Sequence, residues 1–268
     1  MMGILLYRSG RNSNCEGKHM KLLKRLVLQL QFFTRIPIKI QINANSSDFG
    51  KGLVFAPFVG LVIGALLTIP AYGLLFIFPR YLVSAIVLVL YIVVTGGLHL
   101  DGLGDTFDGI FSNRPMERIL EIMRDSRVGT NAVLAVTSVL LLNFAALSQI
   151  SIDYYLRIIL LMPMAGRVGS LIGAAVSSYA RTGEGLGKSF IDFCGRREML
   201  WGLLIYVLIS LLTFDYKLWL ALAVPPVCAY ITVRYFSSKI GGATGDVLGA
   251  VCEINQCVFL ISACGLLG

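Results

Sequence analysis

From Leu53 to Pro79 the chain carries no charged side chain, and after Arg80 a second uncharged run continues from Tyr81 to Leu100. Roughly 20 apolar residues suffice to cross a bilayer as a helix, so each run reads as a span. Ala132–Ile152, Ile158–Ser178 (interrupted only by Arg167), Leu200–Phe214, Leu218–Val233 and Val247–Gly268 continue the pattern, giving seven candidates. The fifth is short and the seventh contains Glu253. Composition agrees: 56% of the 268 residues are hydrophobic and 14% charged, against about 25% charged in soluble domains. The expected fold is an all-α, polytopic membrane bundle of about seven transmembrane helices, with the lipid bilayer as its solvent.

The basic residues set the expected orientation. Lys and Arg number nine in residues 1–52, four in 101–131, four in 179–199 and two in 234–246, while the alternate connections hold Arg80, Arg157 and Lys217 alone. Positive connections stay cytoplasmic. The N-terminus and the three long connections, and any chemistry on them, should therefore face the cytoplasm of a prokaryotic inner membrane. The net charge of +8 is used for this topology, and no nucleic-acid partner is expected. Lys21–Ile36 places Leu22, Leu26, Leu30 and Phe33 on one face, predicting an amphipathic interfacial helix stopped by Pro37 rather than a cleaved signal. Residues 1–19 read as a polar extension, with Met20 an alternative start, and 20–268 as one membrane-embedded catalytic domain. The six cysteines form no C-x-x-C pair and read as small apolar fillers.

Three polar constellations interrupt this apolar chain. In the first, His99 precedes Asp101, Asp105 and Asp108, whose spacing puts all three acids within roughly 60° on one helical face. Like charges so close call for a cation, and hard oxygen donors select Mg²⁺, or Mn²⁺ in its place. The bland alternative is a solvated helix start. Farther along, Arg124 and Arg127 are spaced to clamp phosphate oxygens, with Asp125 either joining the metal or holding an arginine. Arg114 and Arg118 read as topology charges that pair with Glu117 and Glu121.

The second constellation is Arg181-Thr182-Gly183-Glu184-Gly185-Leu186-Gly187-Lys188-Ser189. Three residues separate Gly183 from Gly187 where a P-loop needs four, so what remains is a glycine-rich turn with Arg181 and Lys188 available to phosphate. Arg167, alone in an apolar run, marks a polar cavity. The third constellation joins Gly245 and Gly249, spaced for helix packing, to Asp246 and Glu253. Those two acids share a face and are expected to point into one cavity, with Glu253 either functional or pairing with a cation such as Arg167.

Asp105, Asp108 and Gly109 match the opening of the CDP-alcohol phosphotransferase pattern, but Ser112 and Asn113 replace its Ala-Arg and its second half is absent. A lipid phosphotransferase is thus an alternative reading, as is a secondary transporter with intramembrane carboxylates. The full set of motifs resembles the cobalamin synthase (adenosylcobinamide-GDP ribazoletransferase) family. The resemblance rests on Phe32-Phe33-Thr34-Arg35-Ile36-Pro37, His99-Leu100-Asp101-Gly102-Leu103 with Asp105 and Asp108-Gly109, Met123-Arg124-Asp125-Ser126-Arg127-Val128-Gly129, Arg181 with Glu184-Gly185-Leu186-Gly187, and Thr244-Gly245-Asp246 with Leu248-Gly249. It implies transfer of the adenosylcobinamide phosphate moiety from adenosylcobinamide-GDP to α-ribazole or its 5′-phosphate, releasing GMP. It further implies Mg²⁺ on Asp101, Asp105 and Asp108, phosphates on Arg124, Arg127 and Arg181, and the hydroxyl proton taken by Asp108 or Asp246. Other corrinoid-assembly enzymes are candidate partners. His99, Asp125, Arg167, Glu184 and Lys188 complete the expected substrate-binding set.

Overall fold

The computed structural model describes residues 18–268; most of the expected polar extension, with Cys15, lies outside the described residues. Twelve helices follow in order: α1 Lys18–Phe33, α2 Ser46–Gly52, α3 Ala56–Leu74, α4 Arg80–Thr95, α5 Leu98–Ile110, α6 Met116–Ile122, α7 Thr130–Gln149, α8 Ile152–Val176, α9 Leu186–Phe193, α10 Arg196–Leu211, α11 Tyr216–Ile240 and α12 Gly245–Leu267. The all-α reading of the sequence holds. Helix α1 ends at Phe33, three residues before the expected Ile36. Asp48 then ties it to α2 through Lys24 at 3.0 Å and Arg25 at 3.3 Å.

Helix α8 is the axis of the bundle and is buried almost throughout. It can be so because α3 meets it with glycines: a Cβ on Gly64 would stand 1.9 Å from Leu160 O, and one on Gly60 2.5 Å from Met164 Cα. Small residues bring membrane helices into backbone contact, where dispersion replaces the hydrophobic drive that lipid does not supply. The outer surface is apolar, with Val89, Val93, Leu141, Leu142, Leu208 and Ile231 all exposed, as lipid contact requires.

By length and hydropathy five helices qualify as spans, or six if α4 and α5, bent by 90°, count as one. The shortfall from seven lies at α4 and α10, each 16 residues long and so about 24 Å at 1.5 Å per residue. Contacts between the connections nevertheless separate two ends of the molecule. At one end, Ala180 N donates to Ala243 O at 3.0 Å and Ala243 N to Ser178 O at 2.8 Å, joining the segment after α8 to the one before α12. At the other, Arg80 Nε donates to Ser148 O at 3.2 Å and Ser151 N to Leu267 O at 3.1 Å, with Asp215 beside Tyr154. The chain leaves the first end after α8 and is back there before α12, so α10 and α11 run out and return. Seven helices (α3, α4, α7, α8, α10, α11 and α12) thus connect the two ends. The long basic connections gather at the first, and Arg80 and Lys217 lie at the second.

Candidate functional site

The site grows from a bend. Gly96 and Gly97 hold φ of +65° and +68°, a left-handed geometry that glycine adopts without strain, and there α5 turns off α4. Arg35 N donates to Val94 O at 2.7 Å, fixing the Thr34-Arg35 segment against the bend. Helix α5 then lies on α12 at a crossing without side chains. A Cβ on Gly102 would fall 2.8 Å from Asp246 O, and one on Gly249 would fall 3.3 Å from His99 Cα and O. A Cβ on Gly245 would fall 3.4 Å from Gly187 Cα of α9, so the Gly245/Gly249 spacing serves packing, as its sequence reading has it.

This crossing delivers the acidic face to a mouth at the basic end. Asp101 is exposed and Asp105 half-buried, and the charges of Asp101, Asp246, Asp108 and Arg181 all act on Asp105. Asp246 Oδ2 lies 2.8 Å from Arg181 Nη2 and accepts from Thr244 Oγ1 at 3.3 Å, while its Oδ1 has no partner among the described residues. The same arginine donates to Met123 O at 3.3 Å. Asp108 behaves differently from its neighbours. Its Oδ2 accepts from Gly129 N at 2.6 Å and its Oδ1 from Ala132 N at 2.8 Å, so it caps the first turn of α7, where four N–H groups otherwise lack partners.

In the arginine-rich connection Asp125 holds Arg127, accepting from its Nε at 3.0 Å and from its backbone N at 3.0 Å. The Arg127 hydrogen bonds bring the Asp125 carboxyl down to about 2. The Arg127 side chain is 86% exposed, and Arg124 is exposed beside it. Arg118 pairs with Glu121 at 2.6 Å, matching its reading as a topology charge. In the glycine turn Glu184 is exposed, and Lys188 pairs with Asp192 and sits 5.8 Å over the Tyr179 ring.

Two predicted site residues lie beneath the mouth rather than in it. Arg167 is fully buried, and its Nη1 donates to Tyr91 Oη at 2.9 Å and to Gln256 Oε1 at 3.4 Å; Tyr91 in turn donates to Glu253 Oε1 at 2.6 Å. The expected Arg167–Glu253 pairing is therefore made through Tyr91. Buried His99 packs its ring 5.3 Å from Phe33 and leaves Nδ1 without a partner among the described residues. The expectation that Asp246 and Glu253 share a cavity is corrected here. Seven residues of helix separate them by about 10 Å in depth, so Asp246 opens on the mouth and Glu253 is enclosed. Tyr91 and Gln256 escaped sequence reading because a tyrosine or glutamine in an apolar run carries no charge to betray a buried ion pair.

The donor chemistry divides the same way. Among the described residues, the group whose candidate ligand atoms converge within 4.8 Å is His99, Cys252 and Glu253, not the three aspartates; its anion already faces a cation, Arg167, through Tyr91. At the mouth, Asp101 and Asp105 offer only oxygen, one turn apart and accessible. That fits Mg²⁺, which takes one or two carboxylates and completes its shell with water and substrate phosphate.

Residues 25–264 match the cobalamin-5-phosphate synthase family. A protein of Acetivibrio thermocellus named adenosylcobinamide-GDP ribazoletransferase is 56% identical over 242 residues, covering 90% of this chain and 98% of that protein. One of the same name from Clostridium acetobutylicum is 51% identical over 248 residues, covering 92% and 98%. A third, from a Thermoanaerobacter species, is 40% identical over 247 residues, covering 90% and 97%. No solved structure matches the chain.

Proposed function

Because the chain belongs to the cobalamin-5-phosphate synthase family, we propose that its acidic mouth transfers the adenosylcobinamide phosphate moiety of adenosylcobinamide-GDP to α-ribazole or α-ribazole 5′-phosphate. In this reaction a ribose hydroxyl oxygen bonds to the corrinoid-linked phosphorus, the phosphoanhydride bond breaks, and GMP leaves with the electron pair. The enzyme is a transferase that completes the nucleotide loop of adenosylcobalamin. The observation that carries this reading is the crossing of α5 and α12 at Gly102 and Gly249, which sets Asp101 and Asp105 beside Asp246 and Arg181.

Each side chain then has a task that its contacts support. Asp246 Oδ1 accepts the hydroxyl proton while Oδ2 stays fixed by Arg181 and Thr244. Asp108, with both oxygens engaged, anchors α7 rather than acting as the base. Arg181, and exposed Arg124 at the rim, meet phosphate oxygens. Asp101 and Asp105 would hold Mg²⁺, which supplies charge neutralisation at the diphosphate. The basic connections gathered at the mouth support a multi-pass protein in the cytoplasmic membrane with this end facing the cytoplasm.

Purified protein in detergent, supplied with adenosylcobinamide-GDP, α-ribazole and Mg²⁺, is expected to release GMP in step with formation of the joined corrinoid. Absence of GMP under these conditions overturns the proposal.

A further inference from the structure

Helix α5 carries a second face beside its acidic one. At about 100° per residue, Phe111 stands roughly 60° around the helix from Asp108 and about 40° from Phe107. The two rings pack with centroids 4.9 Å apart at 31°. They form one wall of a groove of about 330 Å³, whose other wall is α7 with Asn131, Leu134, Ala135 and Ser138. That volume lies within the roughly 300–1,000 Å³ of small-molecule sites. One end of the groove reaches Asn131, in the turn of α7 that Asp108 caps through Gly129 and Ala132. The other end runs along α7 and opens on the outer surface, where Leu134 is 59% exposed and Phe111 44%.

We propose that this groove binds the flat aromatic base of the acceptor nucleoside, the benzimidazole of α-ribazole, and so presents the attached ribose to the acidic face. The inference rests on the function proposed above and deepens it by assigning an acceptor subsite. Three features select this occupant. The aromatic wall offers stacking to a planar ring. No charged side chain lines the groove, which suits a neutral base and leaves the diphosphate to the mouth. Two hydrogen-bonding side chains, Asn131 and Ser138, stand in an otherwise apolar lining; a benzimidazole has a ring nitrogen to accept from one of them. Guanine would bury several donors and acceptors against too few partners, and burying a polar group unpaired is costly. An acyl chain would satisfy neither side chain.

The test uses the full chain in detergent. With Ser138→Cys, the rate of maleimide labelling is measured alone, with α-ribazole, with GMP, and with added phospholipid. α-Ribazole is expected to slow labelling several-fold and GMP to leave it unchanged. Slowing by phospholipid but not by α-ribazole makes the groove a lipid site and overturns the proposal, as does slowing by GMP alone. Independently, Ala135→Phe, which fills the groove, is expected to raise KM for α-ribazole about tenfold more than KM for adenosylcobinamide-GDP; equal changes in both overturn it. If the wild-type chain releases GMP yet α-ribazole gives no protection, only the subsite fails. If it releases none, the functional reading fails first.

Discussion

Arg181 Nη2 lies 2.8 Å from Asp246 Oδ2 and 3.3 Å from Met123 O, so one guanidinium ties the connections that follow α6 and α8 to the first turn of α12. The pair is only partly exposed, at 13% and 27%, and it fixes the carboxylate assigned as base. Asp246→Asn is expected to lower GMP release by on the order of a hundredfold or more, the usual contribution of a positioned base, with membrane yield retained. Arg181→Gln is expected to raise KM for adenosylcobinamide-GDP as well as lower kcat. A double-mutant cycle between the two positions should show coupling of about 0.5–3 kcal/mol; strict additivity would separate their roles.

The three aspartates of α5 should divide into two classes. Asp101→Asn and Asp105→Asn are expected to keep the thermal midpoint but lose roughly a thousandfold in turnover, with a raised Mg²⁺ requirement. Asp108→Asn turns an amide N–H₂ toward N–H donors at Gly129 or Ala132, so it should cost about 1–2 kcal/mol in stability, as loss of a cap does. A thermal-shift measurement on all three variants checks the division, and identical profiles would refute it.

At the crossing itself, Gly102→Ala places a methyl 2.8 Å from Asp246 O, against backbone that cannot yield cheaply. GMP release is expected to fall at least tenfold while insertion persists, because α5 must move away from α12 and a misplacement of about 1 Å can cost a hundredfold. Gly73→Ala, whose Cβ would meet nothing within 4 Å among the described residues, is the matched control.

Beneath the mouth, removing one partner of the buried bridge should be far worse than removing its neutral link. Arg167→Met strands Glu253 in the bundle and is expected to cost about 3–5 kcal/mol, read as collapse of folded yield. Tyr91→Phe should cost about 1–3 kcal/mol, the penalty for leaving buried partners unsatisfied. The double variant Arg167→Met/Glu253→Leu should recover much of the yield lost by the single one.

A reporter fused after Asn113 or Gly195 is expected on the cytoplasmic side and one after Arg80 or Lys217 outside. Signals on the same side at Gly195 and Lys217 would break the out-and-back path assigned to α10 and α11, and an outside signal at Gly195 would reverse the orientation.

Much of this arrangement is legible in sequence because periodicity and charge report on faces and ends. The +4 and +7 spacing puts Asp101, Asp105 and Asp108 on one side of α5, and the Arg80 and Lys217 singletons mark the end opposite the mouth. Depth and hydrogen-bond partners do not follow from spacing. Asp108 shares a face with Asp105, yet it is claimed by α7 because Gly129, lacking a side chain, lets the carboxylate reach the helix N-terminus. Asp246 and Glu253 share a face too, and the rise of the helix takes one to the mouth and the other into the core. Arg127 and Asp125, two residues apart, satisfy each other locally; holding an arginine is one of the two roles expected of Asp125, and spacing alone could not choose between them.

The backbone pairing of Ala180 with Ala243 also imposes an order on biosynthesis. The α10–α11 hairpin lies between its two halves, and Asp246, which faces the acids of α5, lies beyond it. During synthesis the ribosome must therefore deliver the hairpin and then α12 before any of these contacts can close. A nascent chain halted before residue 243 would hold α5 with its aspartates and no opposite wall, so catalytic competence should not arrive before α12 is made.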